Sequence, residues 1–160
     1  MSRRNYYEFV TEWAVEGDIV EVAAVLKDVE AFPRWWGRVY RAAKIVDAGD
    51  RDGVGRIVEF TTRGFLPYVL RWTIYVVESR EPHGFTFRVS GDLAGTGVWN
   101  LRQDGKYVKI RLDWRVRAQK AVIRMFSFAL RSVFSRNHLW AMAKGQEGLQ
   151  AELRRRHSLR

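Results

Sequence analysis

Three histidines and no cysteine bound the chemistry open to this chain. His83 stands in a Pro-His-Gly turn, His138 in a helix-forming stretch and His157 in a basic terminal segment, so the three lack the spacing of metal ligands. No metal site is expected. His138 falls on the apolar side of its stretch and is the one imidazole expected to face the interior. A group titrating near neutrality there could pass a proton in an aldol-type cyclisation or a dehydration, with a hydrogen-bond donor or a guanidinium holding the enolate. Glu59, Arg71, Asp92, Asn100 and Asp113 are the polar partners available if strand phase turns them inward. The competing reading makes His138 structural, bonded to a backbone carbonyl. Without cysteine there is no thiol nucleophile, thiolate metal site or disulfide framework. Gly-x-Ser-x-Gly and Gly-x-x-x-x-Gly-Lys-Ser/Thr are both missing, and Gly95-Thr96-Gly97 lacks the third glycine and the strand-to-helix setting of a dinucleotide fingerprint. No cofactor is expected.

The elements that must position these side chains follow from periodicity. Tyr7, Phe9, Thr11, Trp13 and Val15 alternate with Tyr6, Glu8, Val10, Glu12 and Ala14, which predicts a first strand with one wet face. Gly17-Asp18 stops it. Asp18 with Glu21 predicts a capping box for a short helix carrying Val22, Val25, Leu26 and Val29 inward. Glu30 to Gly37, with Pro33, Trp35 and Trp36, predicts a second short helical turn or loop against the body, its two indoles not wholly buried.

From Val39 to Arg117 six strands are expected, over 39–48, 54–62, 68–79, 84–90, 93–102 and 106–117, each break carrying Gly, Pro or Asp turn chemistry. In the last, Val108, Ile110, Leu112, Trp114 and Val116 form a dry face against Lys109, Arg111, Asp113, Arg115 and Arg117. Leu70, Trp72 and Ile74 share a face, as do Phe85, Phe87 and Val89, and Leu93, Gly95, Gly97, Trp99 and Leu101. Gln119 to about Arg156 then reads as one helix of about 35 residues, roughly 50 Å long. Its apolar stripe includes Phe126, Leu130, Phe134, His138, Ala141, Met142 and Leu149, with Gly145 and Gly148 interrupting any coiled-coil heptad.

The 160 residues, 47% apolar and 29% charged, suit one folded domain over residues 1–160, with a basic tail from about 154. No apolar run reaches the ~18 residues of a membrane span. Met1-Ser2-Arg3-Arg4 runs directly into Asn5-Tyr6-Tyr7 without the apolar core of a signal peptide, so the cytoplasm is the expected compartment.

Asp28-Val29-Glu30-Ala31-Phe32-Pro33-Arg34-Trp35-Trp36, Gly91-Asp92-Leu93-Ala94-Gly95-Thr96-Gly97-Val98-Trp99, and Asn137-His138 with Gly145-Gln146-Glu147-Gly148-Leu149 carry a likeness across nearly the whole chain. Together with the element order, they resemble the START-like superfamily, also called SRPBCC or helix-grip, and particularly its bacterial polyketide cyclase/dehydrase-like branch. The resemblance implies an α+β helix-grip fold: a curved seven-stranded antiparallel sheet around a long C-terminal helix, with two short helices after the first strand. It also implies an apolar cavity between sheet and helix. The lining expected here is Val58, Phe60, Leu70, Trp72, Phe87, Trp99 and Trp114 from the sheet and Phe126, Leu130, Phe134 and His138 from the helix, with Trp35, Trp36, Phe65 and Leu66 at the mouth. The alternative is that these side chains simply fill a core.

Three functions are then open. The first is binding or transport of a hydrophobic small molecule of lipid, polyketide or aromatic type. The second is a polyketide cyclase/dehydrase-type enzyme with His138 as acid/base. The third is binding to RNA or the ribosome through a basic surface. The net charge is +10, and residues 119 to 160 hold 9 Lys/Arg against 2 Asp/Glu. That segment could meet nucleic acid or, transiently, an anionic membrane, although charge runs are mostly solvated faces.

Overall fold

The computed structural model describes residues 6–63, 69–119 and 130–160, leaving aside the side chains of residues 130, 131 and 134. Strand β1 (Tyr6–Glu16) leads into α1 (Ile19–Lys27), a 3-10 turn (Val29–Ala31) and α2 (Phe32–Trp35). Six strands follow: β2 (Tyr40–Asp47), β3 (Ile57–Thr62), β4 (Leu70–Ser79), β5 (Gly84–Gly91), β6 (Leu93–Asp104) and β7 (Tyr107–Ala118). Helix α3 (Leu130–Ser158) ends the chain. The strands form one antiparallel sheet in the order β1-β7-β6-β5-β4-β3-β2, so the first strand closes on the last, from Tyr6↔Arg117 to Glu16↔Tyr107. This is the α+β helix-grip architecture, a curved seven-stranded sheet around a C-terminal helix. Among the described residues no helix is long and apolar enough to cross a membrane.

Curvature shows in the side chains. Trp72 on β4 and Trp114 on β7 stand three strand spacings apart, roughly 14 Å on a flat sheet. Their rings nevertheless meet at 5.7 Å. Each indole faces a glycine across its ladder, Trp72 opposite Gly91 and Trp114 opposite Gly97. With no side chain on the partner, large rings on the concave face can lean together.

The local signals mostly produce the expected elements. Asp18 caps α1, its carboxylate accepting from the Val20 N–H at 2.8 Å. In place of the expected reciprocal contact, Glu21 forms an ion pair with Arg160 at 2.7 Å and lies 2.8 Å from His157 Nε2, because the end of α3 comes within its reach. Strand β3 starts at Ile57 and not at residue 54. There Asp50 Oδ1 accepts from the N–H groups of Asp52 and Val54, each at 2.9 Å, and prolongs the turn. The start expected for the long helix at residue 119 falls against residues 120–129, outside the described ones.

Helix α3 is clamped at its C-terminal end. The buried Glu152 carboxylate accepts from Arg155 through two bonds of 3.0 Å, from Arg156 at 3.0 Å, and from Arg34 in α2. Arg156 also reaches Asp28 at 3.0 Å. The hydrogen bonds from Arg155, then those from Arg34 and Arg156, outweigh burial and hold the Glu152 carboxyl down at about 2. The cations that the sequence piles at the terminus are thus largely used inside the fold, besides favouring the helix dipole.

Candidate functional site

Between the concave face of the sheet and α3 lies a cavity of about 90 Å³. Its wall is mainly aromatic. Phe60, Trp72, Phe87, Trp99 and Trp114 come from alternate positions of β3 to β7, and Phe32, Trp36 and Tyr40 from α2 and the start of β2. Helix α3 contributes Asn137, His138, Ala141 and Met142, one turn-spaced edge of its apolar stripe. The rings lock one another: Tyr40 lies 4.8 Å from Trp36, 5.0 Å from Phe60 and 6.2 Å from Trp72.

Helix α3 can approach so closely because of Gly145 and Gly148. A Cβ on Gly145 would fall 2.5 Å from two ring carbons of Trp36, and one on Gly148 would run into the Trp35 carbonyl. Trp36 Nε1 donates to the Ala141 carbonyl at 2.9 Å, which ties the α2 end to the helix.

The polar groups of the wall are few. His138 is 6% exposed, stacked on Phe9 at 3.9 Å and tilted against Trp114 at 5.3 Å. Its Nε2 lies 3.4 Å from Thr11 Oγ1, a hydroxyl of β1. Burial lowers its pKa to about 4, so the ring is neutral at physiological pH. Burial likewise pushes the Tyr40 phenol above its usual range. Thr62 Oγ1 accepts from Trp72 Nε1 at 3.0 Å. The Trp114 indole N–H is buried and has no acceptor among the described residues.

Of the residues expected to line a cavity, Phe60, Leu70, Trp72, Phe87, Trp99, Trp114 and His138 meet around this one. Val58 lies instead in a second, smaller cavity under α1. Phe126, Phe65 and Leu66 fall outside the described residues, as do the side chains of Leu130 and Phe134. Trp35 and Trp36, expected in a loop at the mouth with rings partly wet, are buried at 9% and 3% exposure beneath α3. The reason is the pair of helix glycines, which read in sequence as interruptions and serve in the fold as contact points. Glu59, Arg71 and Asn100 are exposed, and Asp113 binds Arg111 through two bonds of 3.0 Å. Asp92 accepts from the Arg71 N–H at 2.8 Å in a turn. Strand phase therefore leaves the inner acid/base candidates as His138 and Tyr40. Sequence reasoning missed Tyr40, Phe32 and Thr62. Thr62 continues the inward alternation of Val58 and Phe60, a usable signal, whereas nothing local marks Tyr40. Among the described residues no cluster of His, Asp or Glu could hold a metal ion.

No protein-family model and no curated protein matches the sequence. Solved structures do match in shape. A Thermus thermophilus protein superposes with a TM-score of 0.72 at 14% identity, over 92% of this chain and 97% of that one. The Zhui aromatase/cyclase from Streptomyces gives 0.73 at 14% identity, over 94% and 95%. A START superfamily protein from Mycobacterium smegmatis gives 0.69 at 12% identity, over 94% and 98%. Identities this low speak for fold alone. With its seven-stranded grip on a terminal helix and an aromatic hollow between them, this chain has the START-like, or SRPBCC, helix-grip fold.

Proposed function

We propose that this protein binds an apolar small molecule in the cavity between the concave sheet and α3. The observation that carries this reading is the aromatic hollow itself, with only a few polar groups, Thr62, Tyr40, Asn137 and His138, in its wall. Small-molecule sites have this make-up: apolar burial supplies affinity and sparse polar groups fix orientation. The volume sets a demand. About 90 Å³ is less than the ~150 Å³ void that accepts benzene, so a ligand of lipid or polyketide size requires wall side chains to yield. Native mass spectrometry and solvent extraction of the purified protein, followed by titration with indole and naphthalene read by tryptophan fluorescence, test the reading. A co-purified apolar mass or saturable probe binding is expected. No ligand and no saturation with either probe overturns it.

A second reading, cyclisation or dehydration of a polyketide-type substrate, draws support from His138 in the cavity wall. A buried imidazole kept neutral suits a hydrogen bond better than proton donation at neutral pH. Unchanged turnover in His138→Ala would remove it from any such step. Contact with RNA, the ribosome or an anionic membrane has less to draw on at the end of α3, where Arg155, Arg156 and Arg160 are ion-paired. Affinity for such a partner must fall steeply between about 50 and 200 mM salt if phosphates are bound.

A further inference from the structure

The second cavity, about 50 Å³ under α1, has an apolar wall that includes Ala23, Leu26 and Val58. Its remaining side is polar, with Lys27, Asp52, Arg56 and Glu81. The Lys27–Glu81 ion pair, 2.7 Å long, is more than a third exposed on both partners and marks where this cavity meets solvent. Arg56 donates to the Lys27 carbonyl at 3.2 Å and to the Ala48 carbonyl at 3.3 Å.

The two cavities share three wall residues, Val29, Ile74 and Phe85. Val29 and Ile74 are buried, branched and stiff. Phe85 is the bulkiest of the three and only partly buried. It sits on β5 opposite Ser79 and Trp99, beside the irregularity in the β4–β5 ladder between Val76 and Glu78, with its ring 5.8 Å from Phe87. A partly covered phenyl ring can leave a partition by rotating about its side-chain torsions, whereas the two buried aliphatic residues are restricted at χ1 by their branching.

We propose that the two cavities are chambers of one slot divided by Phe85, and that the slot takes an unbranched aliphatic chain whose polar end rests at the Lys27–Glu81 rim. The inference builds on the reading that the hollow beside His138 binds an apolar ligand. At about 50 and 90 Å³ neither chamber takes a ring ligand unless its walls yield, whereas a straight chain has the smallest cross-section of any apolar ligand and asks the least of them. Residue 85 then determines how long a chain the protein accepts.

Calorimetric titration with primary alcohols from butanol to dodecanol, using wild type, Phe85→Trp and Phe85→Leu, tests this. Each buried methylene tightens binding by about fourfold. In wild type that climb continues until the chain spans both chambers. In F85W the climb stops several carbons sooner. In F85L it matches or exceeds wild type, and this small change keeps the fold if the larger ring does not fit. Profiles that superimpose for all three proteins overturn the inference, as does a wild-type climb that ends where that of F85W ends. If indole and the short alcohols bind but the break does not move with residue 85, only the slot falls. If nothing binds at all, the proposed ligand function falls and the slot falls with it.

Discussion

Gly145 offers a test in which two physical effects have opposite signs. Replacing a glycine inside a helix by alanine ordinarily stabilises it by roughly 1 kcal/mol, because the unfolded chain has less freedom to lose. Here the new Cβ would lie 2.5 Å from Trp36 Cε2 and Cζ2 and 2.8 Å from Trp13 Cη2. Carbon pairs sit best at about 3.5–4.0 Å, so the helix or both indoles must withdraw by roughly 1 Å. Neither is free to do so. Trp36 is bonded to the Ala141 carbonyl, stacked on Trp35 at 5.4 Å and pressed on Tyr40, and Trp13 meets Trp99 at 5.5 Å. With the helix and both indoles held, overpacking lies in the upper part of its usual range, at about 2–3 kcal/mol. The expected net result for G145A is a loss of about 1–2 kcal/mol, or roughly 3–6 °C in Tm for a chain of this length. G148A should lose more, since its Cβ meets the Trp35 backbone carbonyl, which no side-chain rotation can move. Urea unfolding read by far-ultraviolet circular dichroism and tryptophan fluorescence measures both. Leu139→Ala, at a helix position 65% exposed, is the control and should stay within about 0.5 kcal/mol. A G145A midpoint equal to or above wild type, at unchanged slope, refutes the packing of α3 on the two indoles.

Burial depresses the His138 pKa from 6.5 to about 4, so the unfolded chain binds the proton first. Stability therefore falls as pH drops from about 6.5 toward 4, and His138→Phe should abolish that dependence in urea midpoints measured across the window. Glu152 acts lower: its carboxyl, held at about 2 against 4.5, contributes stability that is present above about 4.5 and lost as pH falls toward 2. Glu152→Gln should remove this acid limb and cost about 2 kcal/mol at neutral pH, as expected for hydrogen bonds to charged groups. Trp72→Phe breaks the bond to Thr62, whereas Trp114→Phe deletes an N–H that has no acceptor among the described residues. Urea unfolding should show W72F the more destabilised of the two by about 1 kcal/mol, and equal losses would contradict the hydrogen-bond assignment.

What could be read from the chain alone was local. The two-residue alternation of β7 put Val108, Ile110, Leu112 and Val116 inside, and all four are buried there. Asp18 announced the start of α1, and the glycine and aspartate clusters marked the strand breaks, because turn and cap chemistry acts over a few residues. The aromatic wall was legible for the same reason, since phase within a strand decides which face a ring takes.

The site's finer geometry depended on residues far apart in sequence. The Trp36 to Ala141 hydrogen bond spans 105 positions, and no periodicity reveals that Gly145 receives the Trp36 indole and Gly148 the Trp35 carbonyl. The arginines at the end of α3 counted as free charge until folding set them against Glu21, Asp28 and Glu152. Whether the aromatic faces close into a solid core or leave a hollow turns on displacements of an ångström or two between sheet and helix. Hydrophobic pattern records which side of an element is dry, and only the assembled curvature of the sheet decides how much space that dry side encloses.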